Sequence, residues 1–581
     1  MPTPDSTASL AARFLALSLL LFTTPAQAGG PYSAGWREPT LRSPHWPSWS
    51  HEHWVWENEG TEESAYQLVD DYLRRGIPVS ALIIDRPWDV APSNFTPDPN
   101  RYPHLGALIA KLHAREVKVM LWAVSILNQK APEFAEAKAR GYFLNGGRLV
   151  PWWGGKGGML DYKNPEAVAW WHSRMNQVLD LGIDGWKLDG TDPFSIYASV
   201  NGPISLARSL DIWKEYQKAY YTDFWQYSKA RTGKKFVITA RPVDSFNSPY
   251  LPRTLDPFYS FAPYEVSFAG WVGDQDGNWG GLRAAIANMK ESAKRGFLSF
   301  GSDTSGFRSS GGMRDPELFV RWTQLSAFNG VFENGGSGEH RPWLYGPEVE
   351  RLYRRYARIH HALVPYIFSS AAWAFENRSS LYKNLDEVGA GEPGKWDFLL
   401  GPAFAVAALD SPGGLRRVRL PQGEWLSFFH PEAPIQSSGL VAAPSLDEYP
   451  VYVRNGSIFP MRNIRDLGPF SSPDEKEGTE LNVILFAHGE GDSFPVYRDE
   501  NSGGLLAYRA EGDRAIKFQA EGLDNLGWLR LRGSRAERPG QLRVQGRAIS
   551  AGAVKPAEGG GWWIPLAGCR GARRCEADIE W

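Results

Sequence analysis

The 581-residue sequence predicts a (β/α)8 barrel followed by all-β sandwich domains. Three observations predict it. From about residue 50 to about 335, short apolar segments alternate with helical patterns. About eight such segments occur, at 53–57, 79–85, 117–124, 183–189, 235–241, 266–274, 297–303 and 327–333. Seven of them end in a charged residue: Glu57, Asp85, Asp189, Arg241, Asp274, Asp303 and Glu333. Charges gathered at the carboxyl ends of barrel strands mark the face where such folds place their sites.

Taken in order, the chain opens with Arg13 before the apolar run 14–22, and Ala26-Gln-Ala28 has a small-x-small pattern. That reads as a signal peptide over 1–28, cleaved after Ala28, and predicts a secreted or periplasmic protein. Asp5 makes its first part less basic than usual. The run is too short to span a bilayer, and no other segment is apolar enough. The barrel is expected over 29–380. Its helices carry ordinary punctuation. Asn164 caps, Pro165 fits the first turn, and Val168, Trp171, Met175 and Val178 share one face before Gly182 stops the helix. The last barrel helix is expected over 348–363, with Leu352, Tyr356, Ile359 and Leu363 on one side.

After about residue 380, short alternating runs between Gly and Pro take over, at 398–400, 404–408, 417–420, 451–453, 481–486, 515–519 and 529–531. A proximal β-sandwich is expected over 381–470 and a distal β domain over 471–581, with the polar stretch 471–478 between them. Cys569 and Cys575 are the 2 cysteines, and their spacing suits a local hairpin disulfide better than a metal site. The formal net charge is -2, with no basic block for nucleic acid and no acidic tail. Gly154-Gly-Lys-Gly-Gly158 lacks phosphate-loop spacing and reads as a loop at the barrel mouth. The 25 Trp suit large aromatic cores and flat platforms that cover the C–H face of a sugar.

Asp189 ends the run Ile183-Asp-Gly-Trp-Lys-Leu-Asp189, and Asp274 ends Gly270-Trp-Val-Gly-Asp274. Two carboxylates at the ends of two strands of one barrel are the minimum equipment for retaining glycoside hydrolysis, which needs a nucleophile and an acid/base roughly 5 Å apart. Asp276, two residues on in a polar loop, reads as solvated.

The ordered motifs make the chain resemble glycoside hydrolase family 31, retaining α-glycosidases, from about residue 75 to about 500. Asp85, about ten residues before Phe95-Thr-Pro-Asp98, resembles the strand-two aspartate that binds sugar hydroxyls. Leu121-Trp122 and Trp153 resemble the aromatic wall of the −1 subsite. Lys187-Leu-Asp189 resembles the nucleophile segment, Arg241 the subsite arginine, and Trp271-Val-Gly-Asp274 the acid/base segment. Ser302-Asp303-Thr-Ser-Gly-Phe307 resembles the Asp-x-x-Gly-Phe motif, and residues 320–325 the helix after it. Downstream, residues 399–402, 420–425 and 450–460 resemble the proximal β-sandwich. The resemblance implies an exo-acting retaining α-glycosidase for a terminal α-linked hexose, with Asp189 as nucleophile and Asp274 as acid/base. The substrate-binding set it implies is Asp85, Trp122, Trp153, Lys187, Arg241, Trp271 and Asp303, with His340 added from a nearby loop. It implies a carbohydrate partner and no metal or organic cofactor. A transglycosylase on the same scaffold, or a non-catalytic carbohydrate-binding protein, are the alternatives. Oligomeric state is left open.

Four departures surround the −1 sugar. The family's large N-terminal β-sandwich has almost no room here. Lys187 stands where many α-glucosidases have Trp, although some other branches carry Lys there. Asp192 stands where Glu often follows the nucleophile. Glu333-Asn-Gly335 replaces the usual Arg-x-His, with Glu339-His340-Arg341 just beyond.

Overall fold

The computed structural model describes residues 36–581, apart from 153, 191–205, 244–261, 310–311, 388–395, 415, 433, 437–439, 443–444, 466, 474–479, 501, 513 and 533–537. The expected signal peptide, Trp153, Asp192 and most of the polar stretch 471–478 lie outside the described residues.

Seven parallel strands run in the order Phe332–Asn334, His53–Val55, Ala81–Ile84, Lys118–Ala123, Gly185–Leu188, Val237–Ala240 and Ala269–Gly270. Ala81–Ile84 and most of Lys118–Ala123 are apolar and buried, as expected of strands covered on both faces. Successive residues of one strand serve two cores: Ala81 and Ile83 join Trp54, Met120, Val237, Ala269 and Val331, while Leu82 and Ile84 pack with the main core.

The gap between the two ends of this sheet is closed by single bridges. Trp271 bridges Gly301, and Asp303 bridges Glu333, both parallel. The segment expected as a full strand over 297–303 is therefore reduced to these bridges. Gly301 sits where a side chain would not fit, since an added Cβ would lie 2.2 Å from the Val331 carbonyl oxygen. The segment expected over 327–333 also differs. The helix Pro316–Ala327, capped by Asp315, uses its start, and the strand is Phe332–Asn334. The 266–274 segment shortens to Ala269–Gly270.

Helix punctuation follows the sequence. Asn164 Oδ1 accepts from the Glu166 and Ala167 N–H groups at 3.0 and 3.3 Å, opening Pro165–Leu179. Trp171, Met175 and Val178 are buried on its inner face. The helix expected over 348–363 runs on, as Pro347–Glu376 with Pro365 inside it. Its extra turns pack against the strands Ile458–Arg462 and Gly491–Val496 of the C-terminal half.

Among the described residues that half is built of mostly antiparallel sheets, with one parallel pair between Leu481–Phe486 and Leu526–Arg532. Ile458–Arg462, before the expected boundary at 470, pairs with Leu481–Phe486 beyond it. Cys569 and Cys575 are joined in a disulfide.

Gly301→Ala should destabilise the fold by about 1–3 kcal/mol through overpacking at the closure. Denaturant unfolding checks this, and an unchanged midpoint would contradict a barrel closed through that contact.

Candidate active site

Four candidate side chains follow the ends of barrel strands. Asp85 follows Ala81–Ile84, Asp189 follows Gly185–Leu188, and Arg241 follows Val237–Ala240. Asp274 lies four residues beyond Ala269–Gly270. Parallel strands of one ring deliver these residues to one end.

Arg241 joins the two principal carboxylates. Its Nε donates to Asp189 Oδ1 at 2.7 Å, and its Nη2 donates to Asp274 Oδ1 at 2.8 Å. Asp189 Oδ1 also accepts from the Gly190 N–H at 2.8 Å. Asp189 Oδ2 accepts from the Trp122 indole N–H at 3.2 Å. Burial of Asp189 favours its neutral form, but the Arg241 charge and the hydrogen bonds from Arg241, Trp122 and Gly190 outweigh it. The carboxyl is held below the usual range. Its backbone is held as firmly: the Asp189 N–H reaches the Ala123 carbonyl at 2.9 Å. The Tyr220 hydroxyl lies 3.1 Å from the Asp189 carbonyl and 3.2 Å from that of Ala123.

Lys187 forms a second centre, 3% exposed. Its Nζ lies 3.0 Å from Glu333 Oε1, 3.5 Å from Asp85 Oδ2 and 3.7 Å from the centre of the Trp56 ring. Burial alone would discharge the ammonium. Glu333, Asp303 and Asp85 outweigh it and keep it protonated. Asp85 is pushed up to about 6, first by burial and then by the Asp189 and Asp274 charges, against the pull of Lys187 and the Arg86 N–H. Asp303 is raised well above the carboxylate range by burial, with Glu333 and Asp274 adding to it. Both its oxygens, and Glu333 Oε2, are buried without a hydrogen-bond partner. Burial and the neighbouring Glu333 and Asp274 carboxyls disfavour the charged form of Asp303.

Trp271 is fully buried, with Arg241 4.8 Å and Lys187 5.0 Å from its ring centre. It is a platform shared by the two cations. Asp276 is exposed and pairs with Arg308 Nε at 2.8 Å.

His340 does not join the cluster as a sugar contact. Arg314 Nη2 lies 2.8 Å from its Nε2, and arginine can only donate, so Nε2 accepts and carries no proton. Nδ1 then donates to Asn334 Oδ1 at 3.3 Å. Burial and the Arg314 charge hold the ring neutral. With both nitrogens occupied by protein, His340 braces its own loop.

Trp56 also borders the site, and the sequence does not mark it, because Glu57 is the charge that ends the segment 53–57. An added Cβ on Gly335 would sit 2.4 Å from the Trp56 ring. Glycine in place of histidine is the signal that a large neighbour occupies the space.

Residues 43–370 match the family described as the glycosyl hydrolases family 31 TIM-barrel domain, and residues 367–459 match the glycosyl hydrolase family 31 C-terminal domain. The chain belongs to glycoside hydrolase family 31. It is 23% identical to alpha-glucosidase 2 of Bacillus thermoamyloliquefaciens over 462 residues, covering 76% of this chain and 56% of that protein. It is 24% identical to the alpha-xylosidase XylQ of Lactiplantibacillus pentosus over 446 residues, covering 71% and 54%. The chain thus spans about half the length of the curated relatives it matches. The structure is similar to that of the family 31 dextranase of Flavobacterium johnsoniae in complex with glucose. The TM-score is 0.76 at 20% identity, covering 93% of this chain and 71% of that one.

Burial pushes Asp85 up to about 6 in the folded protein, whereas an unfolded aspartate lies near 4. Between those values the folded state binds more protons, so this group adds stability as pH falls. The stability of the wild type relative to Asp85→Asn should therefore rise from pH 7 to pH 5. A difference independent of pH, measured by denaturant titration, would contradict this reading.

Proposed function

We propose that the protein is a retaining, exo-acting α-glycosidase for a terminal α-linked hexose, glucosidase- or galactosidase-like. The observation that carries the reading is the Arg241 guanidinium bonded to both Asp189 and Asp274 at the mouth of the barrel. It holds two carboxyl groups close together at one end of the barrel, where they can flank a scissile bond as double displacement requires.

In this mechanism Asp189 attacks the anomeric carbon and the aglycone oxygen leaves with a proton from Asp274. The β-linked glycosyl ester then meets water, and Asp274 takes up the proton. Asp189 Oδ1 is engaged by two donors at 2.7 and 2.8 Å, whereas the Trp122 contact to Oδ2 is longer, at 3.2 Å. Oδ2 is therefore the freer oxygen for attack. Asp85, partly reachable at the pocket wall, accepts sugar hydroxyls. Residue contacts at Lys187 and Gly335 differ from those of many α-glucosidases, which leans the substrate away from maltose-type sugars. A sugar acceptor in place of water would use the same intermediate, and product analysis with added acceptor separates the two outcomes. Secretion or periplasmic export, from the sequence pattern of residues 1–28, remains part of the proposal.

A screen of aryl α-glycosides of glucose, galactose, xylose and N-acetylgalactosamine tests the reading. Proton NMR of the first product should show the α anomer, and inversion would remove the two-step mechanism. Asp189→Ala should lose roughly four orders of magnitude in kcat.

Asp274→Ala should cleave substrates with good leaving groups far better than those with poor ones, because only the latter need protonation. Added azide should speed it and yield the α-glycosyl azide. Asp276→Ala should behave as wild type, and the azide pattern appearing there instead would transfer the role.

A further inference from the structure

Two of the sequence departures touch each other, and a third makes room for their neighbour. Lys187 replaces the Trp of many α-glucosidases, and Glu333 replaces the usual Arg. In this chain the two are ion-paired at 3.0 Å. Gly335 replaces His, and the Trp56 ring fills the space against its backbone. The ring then lies 3.7 Å from the Lys187 ammonium. An ammonium has three donors. Here Glu333 and Asp85 face it as acceptors and an indole face covers it.

Exposure separates two layers. Asp85, Asp189 and Arg241 are 7–9% exposed, and the Asp274 side chain is 33% exposed. Glu333 and Asp303 are 0% exposed, Trp56 2% and Lys187 3%. The second group lies behind the first.

We propose that Lys187, Glu333 and Trp56 are positioning residues that form a charge-balanced layer beneath the sugar pocket, with Lys187 as the hub that holds Asp85 as a carboxylate facing the sugar. The proposal rests on the glycosidase reading for its kinetic test, and on binding for its independent one. The charged and titratable groups facing Asp85 are Lys187, Asp189, Asp274, Tyr102 and the adjoining Arg86, with Glu333 and Asp303 around Lys187 and Arg241 between Asp189 and Asp274. Asp189 is held ionised by Arg241, so the acid limb of kcat/KM reports Asp85. Removing the Lys187 charge raises the proton affinity of Asp85. Removing the Glu333 charge lowers it, provided Asp303 cannot ionise in its place.

The test is the acid limb of kcat/KM for wild type, Lys187→Met and the double variant Glu333→Gln/Asp303→Asn, with thermal unfolding in parallel. The limb should move up by roughly half a unit or more in Lys187→Met and down by a similar amount in the double variant. Trp56→Phe keeps a ring over the ammonium and should leave the limb in place while raising KM. Loss of packing alone would move no limb, or move both the same way, and either result overturns the proposal. If Lys187→Met does not fold, the downward shift of the double variant decides. The same substitutions in an Asp189→Asn background are titrated with D-glucose and D-galactose by tryptophan fluorescence across pH, which needs no turnover. Opposite shifts in binding without any wild-type hydrolysis would end the glycosidase reading and sustain the layer. Absence of binding to either sugar together with unmoved limbs would end the layer.

Discussion

Two buried cations hold five carboxyl groups together at one end of the barrel. Asp85, Asp189, Asp274, Asp303 and Glu333 converge there against Arg241 and Lys187. Carboxylates this close and this dry repel one another, and each loses hydration on burial. Arg241 resolves the problem for Asp189 and Asp274, and Lys187 resolves it for Asp85 and Glu333. For Asp303, burial and the neighbouring carboxyls push the proton affinity up. The outcome is an ordering of proton affinities, with Asp189 low, Asp85 intermediate and Asp303 high. A site built for nucleophilic attack needs such an ordering, because groups of one chemical type must do different work.

The backbone makes the convergence possible. A ring of parallel strands sends successive strand ends to one face. The ring closes where strand pairing is thinnest, at the bridges through Gly301 and Asp303. That thin closure sets Asp303 against Glu333, so the seam of the barrel is also the floor of the site. Trp271, at the same seam, carries both cations on its ring. Removing side-chain volume at Gly301 and Gly335 lets backbone and Trp56 approach closely enough to complete the floor.

Much of this was legible in the sequence for a physical reason. Alternation of apolar runs with capped helices reports the layers, and a charge at the end of an apolar run reports a strand end. Asp85, Asp189, Arg241 and Asp274 were found that way, and the structure brings all four together. Asp184, in the same sequence segment as Asp189, precedes its strand rather than following it, and is tied to His113 and Lys234 at the other end. The rest depended on contacts between segments far apart in sequence. No local pattern shows that Arg314 occupies the His340 ring, that Trp56 covers Lys187, or that Asp303 and Glu333 become neighbours. The segments 266–274, 297–303 and 327–333 read longer in the sequence than their strands because apolar character persists where pairing does not. Trp153 lies outside the described residues, so its platform role stands as an expectation.

The central claim is that Asp189 carries the sugar during turnover. The most direct measurement is peptide mapping by mass spectrometry after treatment with a 5-fluoro or cyclophellitol-type trap of the sugar that the protein releases. The account predicts one labelled peptide, with the glycosyl ester on Asp189 and protection by substrate. Label on Asp184, Asp192 or Asp274, with Asp189 unmodified, would contradict it.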